Sequence, residues 1–79
     1  MKYPDGQEIR VGDQVTLGNK GQGIVVFSID RREYSDDYLE SEWGYLKRGV
    51  MVRVAEYGLI YFEDRPDPDL CLTSRKDKN

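Results

Sequence analysis

The sequence predicts a small, mainly β domain, built as a strongly bent sheet or barrel of five or six short antiparallel strands. Short runs rich in apolar and β-branched residues recur at roughly ten-residue spacing and are separated by turn residues. The chain has only 79 residues, so closing the sheet would remove edges that it could not otherwise cover. Its nine aromatic residues each bring a large side chain to a core of limited size.

The clearest strands are Gln14–Leu17 and Gly23–Ile29, which predict a β-hairpin. The five residues between them, Gly-Asn-Lys-Gly-Gln, combine permissive glycines with an asparagine that tolerates the left-handed conformation. The first run alternates apolar and polar side chains, as in a half-buried strand. The second run is apolar on both faces, which predicts a more central strand.

Three further runs have strand character: Gly49–Val54, Leu59–Phe62 and Leu70–Thr73. The first two flank a turn at 55–58 and predict a second hairpin. Ile9 and Val11, at a period of two, predict a short strand before the first hairpin. We therefore expect one β domain over residues 1–73 and a charged, flexible tail over residues 74–79.

The segment between the hairpins, around residues 33–46, is predicted to be a short helical turn or a loop insertion. Ser35 can cap a helix whose first turn contains Asp36 and Asp37, where negative charge is favourable. Tyr38 and Leu39 would then point toward the core.

Trp43 lies in the richest aromatic stretch, Trp-Gly-Tyr-Leu. In so small a domain it is expected to be a core plug or a lid over one end of a barrel. The alternative is an interface anchor, a role in which Trp and Tyr are enriched.

The composition argues against catalysis. The sequence contains no histidine, which removes Ser-His-Asp and Cys-His arrangements and most zinc sites. The string GNKGQG lacks the Ser or Thr and the following helix that a P-loop needs. Asp36 or Asp37 could share a helix face with Glu40, but such a charge run is usually a solvated face. We expect no enzyme activity, no catalytic residues, no cofactor and no metal site.

The cysteine content, the apolar runs and the net charge indicate the environment and the partners to expect. Cys71 is the only cysteine, so it cannot form an intrachain disulfide, and we expect a small buried or edge residue. No apolar run has the length of a secretory signal or a membrane span, which predicts a cytoplasmic protein. The net charge of −3 argues against a grip on phosphate backbones.

From Tyr3 to about Leu72 the chain resembles small bacterial immunity proteins of the Rhs and contact-dependent growth inhibition toxin systems. The resemblance rests on the segments YPDGQEIRVGDQV, TLGNKGQGIVVFSID, WGYLKRGVMV and YGLIYFED. It implies a protein that binds and neutralises a cognate antibacterial toxin by occluding its active site or its access to substrate. The GDxV strand, the glycine turn and the GxVV strand are also similar to the start of SH3-like barrels, including nucleic-acid-binding KOW modules.

Toxins of this kind are often nucleases, whose substrate clefts are basic, so an acidic and aromatic surface would complement them. The predicted toxin-binding residues are Glu33, Tyr34, Asp36, Asp37, Tyr38, Glu40, Glu42 and Trp43. The alternative hypothesis is a KOW/SH3-like module that binds nucleic acid through Lys20, Arg31, Arg32, Lys47, Arg48 and Arg53. The sequence leaves a homodimer open.

Overall fold

Six antiparallel strands form one sheet in the computed structural model, which describes residues 1–75. They are β1 (Gln14–Leu17), β2 (Gln22–Ser28), β3 (Glu33–Tyr34), β4 (Val50–Val54), β5 (Gly58–Phe62) and β6 (Leu70–Ser74). The strand order is β5-β4-β2-β1-β6, and β3 pairs with β2 off this path. The predicted mainly β class is confirmed. Within the described residues the sheet is open, and it is consistent with a small SH3-like fold.

Both predicted hairpins are present. In the first, Thr16 pairs with Gln22 across a single 3-10 turn at Gly18–Lys20. In the second, β4 and β5 pair from Val50 with Phe62 to Val54 with Gly58. The prediction that the second strand is central is also confirmed, because β2 lies between β1 and β4.

Each face of the sheet has its own hydrophobic cluster. The inner face carries the larger core, formed by Tyr3, Ile9, Val15, Leu17, Val25, Val50, Val52, Val54, Phe62 and Leu70. The outer face carries a smaller cluster of Val26, Phe27 and Met51, against which half-buried aromatic side chains pack. This arrangement explains why β2 is apolar on both faces, since each of its faces is covered by a different set of residues.

A β-bulge in β2 adds a residue to the outer cluster. Val25 pairs with Val52 and Phe27 pairs with Met51, so Val26 is an extra residue on this strand. Val25 belongs to the inner cluster, whereas Val26 and Phe27 both belong to the outer cluster. The extra residue therefore turns two consecutive apolar side chains toward the outer face.

The predicted strand at Ile9 and Val11 is wrong. This stretch makes only an isolated bridge between Lys2 and Glu8, and the Ile9 N–H donates to the Met1 carbonyl. Ile9 is nevertheless fully buried in the inner core. The apolar residue in the sequence therefore indicated a core position and not a strand.

The chain stays ordered beyond the predicted domain boundary at residue 73. Strand β6 includes Ser74, and the Arg75 guanidinium lies 3.0 Å from the buried carboxylate of Asp13. Because this ion pair joins the end of β6 to the start of the chain, residues 74 and 75 belong to the folded domain. The rest of the predicted tail, 76–79, lies outside the described residues.

Candidate protein-binding surface

Four aromatic side chains meet on the outer face; we call Phe27, Tyr34, Tyr38 and Trp43 the aromatic cluster. Phe27 is at its centre: its ring centroid lies 5.7 Å from that of Tyr34, stacked at 26°, and 5.4 Å from that of Trp43. Tyr38 completes it, at 6.4 Å from Phe27 and 6.1 Å from Trp43, both pairs tilted. Offset and tilted rings at these separations attract each other beyond simple burial.

The segment after β2 brings these rings together. Strand β3 places Tyr34 directly opposite Phe27. The backbone N–H and the hydroxyl of Ser35 both donate to the Val26 carbonyl, at 3.2 and 2.7 Å. This carbonyl belongs to the bulge residue, so the bulge anchors the turn that carries Tyr38.

The predicted helix forms later than expected. Helix α1 spans Glu40–Trp43, with Leu39 as its N-cap, and a 3-10 turn at Gly44–Leu46 follows. The prediction that Ser35 caps it is wrong, because the Ser35 hydroxyl is engaged by β2. Leu39 does not enter the core either; 47% of it is exposed. The helix is a single turn that directs Trp43 onto Phe27.

Trp43 packs on the outer face of the open sheet, against Phe27 and Tyr38, and not over the end of a barrel. It is half-buried, as are Tyr34 and Tyr38. Its position is therefore compatible with the predicted role of interface anchor, because part of each ring remains open to a partner.

Three acidic side chains beside the cluster have no ion-pair partner among residues 1–75. Asp36 and Asp37 lie in the exposed turn between β3 and α1, and Glu42 is exposed on α1. Together with the aromatic cluster they form what we call the aromatic–acidic surface. Glu40 belongs to the same segment but is paired with Arg32 at 3.2 Å. Burial, and then the charge of Glu40, raise the pKa of Tyr34 above its ordinary range.

Glu33, one of the predicted toxin-binding residues, is engaged within the chain. Its carboxylate accepts hydrogen bonds from Arg10 at 3.1 Å and Arg31 at 3.2 Å, and from a backbone N–H of the N-terminal segment. Burial alone would raise the pKa of Glu33, but these hydrogen bonds outweigh it and hold that pKa below its ordinary range. Glu33 therefore connects β3 to the N-terminal segment, and its negative charge is largely neutralised by the two arginines.

Sequence reasoning missed Phe27, the fully buried ring on which the half-buried rings of this surface pack. Phe27 was assigned only to a buried strand, and nothing in its local pattern showed that a bulge would place it beneath Tyr34 and Trp43. Tyr45, which is 71% exposed, and the exposed Leu39 also lie in this segment. The aromatic stretch around Trp43 could have indicated Tyr45 as a surface residue. Leu39 could not have been identified in this way, because its apolar side chain predicts a core position.

Four of the six basic residues of the alternative hypothesis contact acidic or aromatic groups of the described chain. Arg31 and Arg32 are ion-paired with Glu33 and Glu40. Arg48 lies within 3.2 Å of two carboxylates in the loop that follows β5. The Lys20 ammonium is 6.0 Å from the centre of the Tyr57 ring. Much of the positive charge is thus already matched within the chain.

Asp36 and Asp37 precede α1, so neither shares a helix face with Glu40. Within residues 1–75, no group of three or more Cys, Asp or Glu side chains is arranged to hold a metal ion. The described helices are also too short to cross a membrane.

Comparison of the chain with known protein families, with curated proteins and with solved structures finds no match.

Proposed function

We propose that this protein is an immunity protein, which binds a basic, nuclease-type toxin domain through the aromatic–acidic surface and blocks access of substrate to it. The observation that carries the proposal is the juxtaposition of half-buried aromatic rings with carboxylates that have no partner in the described chain. The resemblance to immunity proteins of polymorphic toxin systems names the class of partner.

The aromatic cluster is suited to anchor a partner. Tyr34, Tyr38 and Trp43 are held by contacts with Phe27 and with each other. Because these rings are already ordered, binding them costs little side-chain entropy. Partly exposed aromatic side chains of this kind supply most of the binding energy in many interfaces.

The carboxylates are suited to select a basic partner. Asp36, Asp37 and Glu42 are exposed, and their charges are not neutralised by neighbours in the described residues. Opposite charge on a partner accelerates the encounter and disfavours acidic competitors. A nuclease cleft, which must attract phosphate groups, presents the complementary sign. In this proposal the protein acts in the cytoplasm, where such a toxin would meet its nucleic-acid substrate.

The proposal is tested by measuring binding to the toxin domain encoded beside this chain. The variant Asp36→Lys/Asp37→Lys reverses two charges of the surface, and Glu56→Lys/Asp67→Lys makes the same change of charge at exposed positions elsewhere. The first should weaken binding by about tenfold, roughly 1.4 kcal/mol, mainly through slower association at low salt. The control pair should bind like the wild type, and circular dichroism should show that all variants are folded.

Two outcomes would contradict the proposal. One is equal loss of affinity in both double variants, which would indicate net charge rather than this surface. The other is a tagged protein that retains RNA instead of the toxin domain and releases it at moderate salt, as a phosphate-binding module would.

A further inference from the structure

A groove of about 710 Å³ lies across strands β1, β2, β4 and β6. The side chains that line it include Gln14, Gln22, Ile24, Arg53 and Thr73, and we call it the Arg53 groove. Its volume falls within the range of small-ligand sites, about 300 to 1,000 Å³. The groove uses none of the residues of the aromatic–acidic surface.

Strand register places three of these side chains in one row. Arg53 pairs with Ile24, and Ile24 pairs with Gln14. Thr73 adjoins the row, because its hydroxyl donates to the Gln14 carbonyl at 2.9 Å. Directly paired residues present their side chains on the same face of a sheet. Ile24 also packs against the cluster around Phe27, so the groove continues the outer face on which that cluster lies.

Arg53 differs from most other arginines of the chain. Arg10, Arg31, Arg32, Arg48 and Arg75 each lie within hydrogen-bond distance of a carboxylate. Arg53 has no such partner in the part of the chain that the structure describes. Its two cross-strand neighbours are Ile24 and Leu59, both apolar. Arg53 is exposed and thus presents a guanidinium with five donors in mid-sheet, beside apolar groups and without a carboxylate partner among residues 1–75.

We infer that the Arg53 groove binds a carboxylate group carried by an extended peptide segment. The planar guanidinium can donate two parallel hydrogen bonds to one carboxylate. The side-chain amides of Gln14 and Gln22 can both donate to and accept from a peptide backbone. Ile24 offers apolar contact between these polar groups.

A nucleic-acid strand fits the groove less well. Among the described residues that line it, Arg53 is the only one with a cationic side chain, whereas a strand of phosphates is held by several cations along its length. The net charge of −3 would also repel a polyanion at long range. A peptide with a single carboxylate needs only one guanidinium.

The test is an NMR titration of the isotope-labelled protein with acetyl-Ser-Val-Glu-Val-Ser-amide and with the same peptide carrying Gln in place of Glu. The Glu peptide should shift the amide signals of Gln14, Gln22 and Ile24 and the Arg53 side-chain signal. Replacement of Glu by Gln, or the variant Arg53→Gln, should weaken binding by about fivefold or more, as loss of a charge-assisted hydrogen bond predicts. Arg65→Gln, which removes an exposed arginine outside the groove, should bind like the wild type.

The inference is overturned if the two peptides bind equally well, if Arg53→Gln has no effect, or if the shifts lie outside the groove. It is also overturned if hexathymidylate binds there more tightly than the Glu peptide. Because no toxin domain is needed, this result stands apart from the test of the proposed function.

Discussion

At the scale of single residues, the most demanding position is Asp13, whose side chain is fully buried. Its carboxylate accepts from the Tyr3 hydroxyl at 2.6 Å, from the Arg10 backbone N–H at 3.0 Å and from Arg75 at 3.0 Å. A buried charge is tolerated only when such partners replace its water. Asp13 therefore connects the N-terminal segment, through Tyr3 and Arg10, to Arg75 at the other end of the described chain.

Tyr3 makes this network sensitive to alkaline pH. Burial, and then its hydrogen bond to Asp13, raise the pKa of Tyr3 well above its ordinary value near 10. The unfolded chain loses the Tyr3 proton near pH 10, whereas the folded chain keeps it. The contribution of Tyr3 to the free energy of unfolding should thus be constant below about pH 10 and fall as the pH rises further.

The variant Tyr3→Phe tests this network. At pH 8 it should be less stable by about 1 to 2 kcal/mol, because Asp13 loses a donor. Between pH 10 and pH 11 its stability should fall less steeply than that of the wild type, as measured by urea denaturation. Tyr45→Phe, which changes an exposed hydroxyl, should match the wild type in both respects. An unchanged alkaline slope in Tyr3→Phe would contradict the prediction.

At the scale of elements, the β4–β5 hairpin depends on a glycine at its open end. Gly49 has a φ of 110°, and a Cβ atom built there would lie 2.5 Å from the Phe62 carbonyl oxygen. Its N–H also donates to Asp30 at 3.1 Å. Gly58, at the turn of the same hairpin, has a φ of 83° but no atom within 4 Å of such a Cβ. A side chain at Gly58 would thus meet only an unfavourable φ, whereas a side chain at Gly49 would meet both an unfavourable φ and a steric clash.

Alanine at these positions should therefore have unequal effects. Gly58→Ala should cost about 1 to 2 kcal/mol, the strain of a left-handed conformation. Gly49→Ala should cost more than about 3 kcal/mol, because the hairpin must also open to admit the methyl group. Urea denaturation of both variants measures the difference. Equal costs would mean that the backbone around Gly49 relaxes freely.

The sequence predicted the elements whose signals are local. The hairpins followed from alternating side chains and turn residues, as in Gln14–Leu17 and its glycine-rich loop. The start of α1 could not be predicted, because Ser35 has the chemistry of a helix cap and uses it instead on the Val26 carbonyl. That choice depends on strand pairing nine residues away. Of the predicted site residues, Trp43 and Tyr38 are in contact. Glu33 instead forms ion pairs with Arg10 and Arg31, and no local sequence pattern indicates this pairing.

At the scale of the whole molecule, Arg75 joins the two ends of the described chain. Its guanidinium contacts both carboxylate oxygens of Asp13 and donates to the Glu8 carbonyl at 2.7 Å. The hydrogen bond to Asp13 is the main cause that raises the pKa of Arg75 above its ordinary range. From sequence this residue was assigned to a flexible tail, since its partner is 62 positions away. A contact between residues this far apart in the sequence cannot be predicted from local sequence patterns.

Loss of this contact should loosen both ends together. Arg75→Gln leaves the Asp13 charge buried and short of a partner, so we expect a loss of about 2 to 4 kcal/mol, the lower end reflecting the partial exposure of Arg75. Hydrogen exchange should accelerate in β6 and in residues 1–13 to a similar extent. Arg65→Gln should leave both segments unchanged. Faster exchange in β6 alone would show that the ends open independently.

The bulge at Val26 makes the outer surface depend on strand geometry as well as on composition. Side chains along a strand alternate between faces, so one residue added or removed reverses every later position. If the same residues continued through this point without the bulge, Val26 would occupy the outer face and Phe27 would turn to the inner face. The inner core before the bulge would keep its pattern. Loss of the bulge without loss of a residue would thus remove the platform beneath Tyr34 and Trp43, although every aromatic residue of the surface remained in the sequence, whereas deletion of Val26 would leave Phe27 facing outward.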